Sequence, residues 1–69
     1  VTAPAILTLD GAPAWVCWIA QDADGAWWGY EHAPNQAEHG WYENEVGRII
    51  KLAQGPANDA WAASLRRVR

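Results

Sequence analysis

The segment that most constrains this chain is a turn between two aromatic runs. Residues 15–21, Trp-Val-Cys-Trp-Ile-Ala-Gln, are β-branched and aromatic. Such residues fit a pleated, half-buried surface and read as a strand. Asp22-Ala23-Asp24-Gly25 follows, and residues 26–32, Ala-Trp-Trp-Gly-Tyr-Glu-His, return. Only glycine accepts positive φ without a Cβ penalty, so Gly25 suits the left-handed position of a type I hairpin turn. A three-residue loop pairs Asp22 with Ala26. One face then carries Val16, Trp18, Ala20, Trp28, Tyr30 and His32, and the other Trp15, Cys17, Ile19, Trp27 and Glu31. A four-residue loop would regroup the two strands' contributions. Either way Trp27 and Trp28 point to opposite faces, because side chains alternate along a strand.

Both faces of the hairpin are therefore aromatic, whereas an ordinary half-buried sheet keeps one polar face. Composition explains the need. The chain has 69 residues, six Trp and two Tyr, but no Phe. Val, Ile and Leu are sparse, so Trp supplies the bulk that a thin core lacks. Trp is seldom fully buried, and at least one or two of the six are expected on a functional or dimer surface.

The rest of the chain completes one small domain. Ile6-Leu7-Thr8-Leu9 is β-compatible, within an N-terminal arm or edge strand over residues 1–13. Pro34, Asn35 and Gly40 make residues 33–45 a loop, although Trp41 and Tyr42 lie inside it. Residues 46–53 read as a further strand, stopped by Gln54-Gly55-Pro56. Asn58 can cap a helix over 58–67, where Trp61, Leu65 and Val68 share one helical face. The expected fold class is α+β: an antiparallel β-meander of three to four strands, with one short C-terminal α-helix packed on one face.

Charge divides along the chain. Residues 1–47 hold seven acids and no Lys or Arg, whereas Arg48, Lys51, Arg66, Arg67 and Arg69 all follow. Aromatic sheets that stack bases need cations to neutralise phosphate, and the hairpin has none. Direct nucleic-acid binding is not expected. An acidic aromatic surface instead suits a basic protein partner, steered by charge and anchored by aromatic rings. The candidate anchors are Trp27, Trp28, Tyr30 and Trp41, with Glu31, Glu43 and Glu45 as an acidic rim. Only one of the adjacent Trp27 and Trp28 can be an anchor, since the other is needed in the core. A carbohydrate or small-ligand platform and a structural homodimer are the alternatives.

Catalytic and metal chemistry find little support. The single Cys17 forms no intramolecular disulfide and sits in an acidic neighbourhood, which disfavours a reactive thiolate. His32 and His39 lack zinc-ligand spacing. Asp22, Asp24 and Gly25 lack the bidentate Glu of a calcium loop. No enzyme activity, metal or cofactor is expected. No membrane span or signal peptide is read, and a reducing cytoplasm is the expected setting.

Residues Trp18 through Glu31, then Pro34, Trp41, Gly47-Arg48, Gly55, Asn58, Trp61 and Ser64-Leu65, resemble small uncharacterised proteins of tailed phages and prophages. Those share an aromatic D-x-D-G hairpin and a W-x-x-S-L ending. The resemblance spans roughly residues 15–66 and implies a host-takeover or accessory role. It carries no catalytic residues.

Overall fold

The computed structural model describes residues 12–43 and 47–69. The β-compatible run Ile6–Leu9 and the rim candidate Glu45 lie outside them.

The aromatic hairpin forms as its residues dictate. Strand β1 is Trp18–Gln21 and β2 is Ala26–Tyr30. They pair antiparallel with Trp18 opposite Tyr30 and Ala20 opposite Trp28. The three-residue loop closes through Asp22 N donating to Ala26 O and Gly25 N donating to Asp22 O, each at 2.9 Å. Gly25 has φ +95, the single positive φ among the described residues. Asp24 Oδ1 accepts from Ala26 N at 3.0 Å, an Asx bond that locks the corner.

Residues 33–43, expected as loop, contain two short strands, β3 (Asn35–Gln36) and β4 (Trp41–Tyr42), paired as a separate ribbon. Strand β5 is Ile49–Gln54 and lies against β2. Its register slips between Trp27 and Trp28. Leu52 is the extra residue, so a β-bulge keeps Ile50 and Ala53 on one face despite their odd spacing.

The C-terminal α-helix is not formed. Trp61–Ala63 make a single 3-10 turn, and Arg66–Arg67 form strand β6 beside β1. The α+β assignment is thereby corrected: the described residues are antiparallel β-structure with one 3-10 turn. The physical reason is competition for backbone hydrogen bonds. A helix of about ten residues is marginal alone, whereas the outer edge of β1 offers unpaired groups. Val68 N donates to Cys17 O at 2.8 Å on that edge. Ser64 ends the turn, its hydroxyl donating to Trp61 O at 2.6 Å. Asn58 does not cap this turn, whose N-cap is Ala60 without a side-chain bond; its side chain accepts from Ala60 N at 2.9 Å in an Asx bond just ahead of it.

The main sheet has the order β5-β2-β1-β6. β1 and β2 form its central hairpin; β5 joins β2 after the β3–β4 ribbon, and β6 returns to the free edge of β1. Directly paired residues share a face, so the sheet reads in rows. One face carries Ile49, Tyr30, Trp18 and Arg67 in one row, and Lys51, Trp28 and Ala20 in the next. The other carries Ile50, Gly29, Ile19 and Arg66, then Ala53, Trp27 and Gln21. Val16 departs from the alternation expected of it. Its methyl groups would lie 2.9 and 3.0 Å from a Cβ on Gly29, so it packs on the Ile19 face rather than with Trp18. Gly29 leaves room there for Val16 and Leu52.

Among the described residues, Val16, Ile19, Ala20, Ala26 and Tyr30 are the buried hydrophobic side chains, and Pro34 is buried as well. None of the six Trp is fully buried. The molecule measures 15 Å across its thinnest direction, barely one sheet with its side chains.

Candidate functional site

On the Tyr30 face, the β3–β4 ribbon and the sheet enclose a cleft of about 300 Å³. Trp28, Tyr30 and Ile49 come from the sheet, and Trp41, Tyr42 and Glu43 from β4 and its end. Asp22, at the hairpin corner, completes the lining.

Trp41 is fixed from three sides. Its backbone N donates to Asp22 Oδ1 at 3.0 Å, and its Nε1 donates to Gln21 O at 3.0 Å. Its ring meets Trp61 edge-on, with centroids 6.1 Å apart and planes at 84°. An aromatic held this way loses little freedom on binding. Tyr30 is 2% exposed and forms the floor. Tyr42 and Ile49, at 49% and 50% exposed, form the open margin.

The cleft is electronegative. Burial, and then the fields of Asp22 and Glu43, push the Tyr30 phenol above its ordinary value. The folded protein thus holds this proton where the unfolded chain releases it. The associated stability is complete below about pH 10 and falls as pH rises beyond it. The urea midpoint is expected to drop between about pH 8 and pH 11, and Tyr30→Phe to drop less. An equal drop in both proteins would show that Tyr30 is not responsible.

The sequence-predicted residues separate in space. Trp28, Tyr30, Trp41 and Glu43 meet in the cleft. Trp27 lies on the opposite face with Ala53 and Gln21. Glu31 is bound to Arg48: Arg48 Nη2 donates to Oε2 at 3.0 Å, while Arg48 Nε and N donate to Oε1 at 3.2 and 3.1 Å. The same guanidinium stands 4.8 Å over the Trp15 ring. These bonds lower the Glu31 pKa to about 2. Stability from the depressed carboxyl is present above about pH 4.5 and lost as pH falls towards 2. Glu31→Gln should therefore flatten the acid limb of stability against pH. An acid limb unchanged in urea titrations would place that loss elsewhere. The pair is solvent-accessible, so the effect is small and fades with salt.

Asp22, Tyr42 and Ile49 belong to the cleft but were not candidates from sequence. Ile49 was findable in principle, since β5 pairs it with Tyr30. Asp22 reads as turn chemistry alone, and Tyr42 depends on where the ribbon lands.

The basic residues do not form a separate end of the molecule. Arg67 stands 5.6 Å over Trp18, and Arg69 Nε donates to Val16 O at 2.7 Å. Half-buried Cys17 donates weakly to Trp15 O at 3.5 Å. Among the described residues, no group of three or more His, Cys, Asp or Glu could hold a metal ion, and no helix is long and apolar enough to cross a membrane. Comparison with protein-family models, curated proteins and solved structures finds no match for this chain.

Proposed function

We propose that this chain is a small cytoplasmic accessory protein of the phage or prophage kind. It works without catalysis, by binding a host or phage protein through the aromatic cleft. One observation carries the reading: three of the four candidate anchors, Trp28, Tyr30 and Trp41, share a cleft with the carboxylates of Asp22 and Glu43. Fixed rings with an exposed apolar margin give anchoring area, and two carboxylates favour a basic partner such as a nucleic-acid-handling host protein. The partner's positive surface would be steered by charge, so capture should weaken as salt rises.

The test is affinity capture from bacterial lysate with the wild-type chain, Tyr42→Ala and Trp27→Ala, each first shown to be folded. A specific protein retained by wild type and Trp27→Ala at moderate salt, and lost with Tyr42→Ala, is the expected outcome. Equal retention by all three, or none by any, contradicts the proposal.

A carbohydrate platform is the second reading. It is favoured by the cleft volume of about 300 Å³, at the lower end of small-ligand sites. Saturable quenching of Trp fluorescence by a sugar, insensitive to salt, would select it.

A further inference from the structure

We infer that the cleft on the Tyr30 face seats an arginine side chain of the partner protein, its guanidinium stacked on an indole and hydrogen-bonded to a cleft carboxylate. This rests on the partner-binding reading above and names the group that would be recognised.

The protein already builds this arrangement from its own residues. Arg48 lies 4.8 Å over Trp15 while Nη2 donates to Glu31 at 3.0 Å. Arg67 places a second guanidinium over Trp18, 5.6 Å from the ring centroid. In each case a planar cation covers an indole face that the thin core leaves half-exposed. The cleft brings together the same two ingredients, Trp28 and Trp41 with Asp22 and Glu43. None of its described lining residues is cationic. Lys51 sits opposite Trp28 on β5 but is not part of that lining.

Arginine fits these groups better than lysine. The guanidinium is planar and weakly hydrated, so it stacks on a ring while its edge N–H groups remain free to donate. An ammonium loses more hydration on entering an aromatic cleft and cannot stack. A quaternary ammonium has no N–H to donate to a carboxylate. Asp22 is held in place by accepting from Trp41 N, so the negative charge and the ring move as a unit.

The test uses the full chain, labelled with nitrogen-15, and three blocked glycine-flanked peptides. They carry a single arginine, lysine or citrulline; citrulline keeps the shape and removes the charge. The arginine peptide should shift the Trp28 and Trp41 indole signals saturably. Its affinity should exceed that of the citrulline peptide by about tenfold and that of the lysine peptide by a smaller margin. Asp22→Asn, which keeps an oxygen to accept from Trp41 N, should weaken the arginine peptide about fivefold while the other indole signals keep their positions. Equal binding of arginine and citrulline peptides overturns the inference. So does a lysine peptide that binds as tightly, or the absence of shifts up to about 10 mM peptide. If the inference fails but Tyr42→Ala still abolishes partner capture, the partner-binding reading survives with a different recognised group.

Discussion

Gly25→Ala is expected to remove most of the protein's stability. The hairpin corner holds Gly25 at φ +95, where a Cβ is strained. Space compounds the problem. A Cβ there would sit 2.1 Å from Gly55 O and 2.5 Å from Pro56 O, both backbone atoms that cannot rotate away. The approach is close because Gly55 N donates to Gly25 O at 2.8 Å, tying the end of β5 to the hairpin. Relief would break that bond and shift the β2–β5 pairing. The combined cost is about 3 kcal/mol or more. A domain of this size holds only about 3–5 kcal/mol. Thermal and urea unfolding should show a chain of marginal stability, with both midpoints far below those of wild type. A melting curve matching wild type would mean that the turn is not built as described.

Gln21→Leu should be the next most damaging substitution. Gln21 is 4% exposed and is the one buried polar residue among those described. Its Nε2 donates to Gly25 O at 3.1 Å, and its Oε1 accepts from Asn58 Nδ2 at 2.9 Å. Its backbone N donates to Ser64 Oγ at 2.8 Å. One side chain thus joins the hairpin corner to the segment leading into β6. Leucine keeps the volume but leaves the Asn58 amide unsatisfied, at a cost of about 2–3 kcal/mol. Asn58→Ala removes the same contact from the other side. A double-mutant cycle should return a coupling near 1 kcal/mol, measured from urea midpoints. Strict additivity would show that the Gln21–Asn58 bond contributes nothing.

The hairpin was legible because its instructions are local. Asp22, Asp24 and Gly25 mark the turn, and of the two loop lengths they allow the structure takes the three-residue one, which sets the register. The C-terminal segment was not legible, because its choice is not local. Trp61, Leu65 and Val68 have helical spacing, yet Arg66, Arg67 and Val68 complete an edge of β1 that no window of the sequence displays. Val16 left its expected face for a similar reason: the space it fills is made by Gly29, a residue on another strand.

The cleft was half legible. Aromatic alternation put Trp28 and Tyr30 on one face, and Trp41 was singled out by type. Only the landing of the β3–β4 ribbon brings Trp41, Tyr42 and Glu43 over that face. The charge division along the sequence also changes meaning on folding. Arg48, Arg67 and Arg69 bind back onto the hairpin, so residues distant in the chain neutralise and cover part of it. The cleft carboxylates Asp22 and Glu43, rather than the whole acidic segment, carry the attraction for a basic partner.

The central claim, that the Tyr30-face cleft is where this protein binds, is tested most directly by following all six indole N–H signals during titration with the captured partner. Perturbation centred on Trp28 and Trp41, with Trp15 and Trp27 unmoved, is the predicted result. Perturbation centred on Trp27 or Trp15, with Trp28 silent, would contradict it.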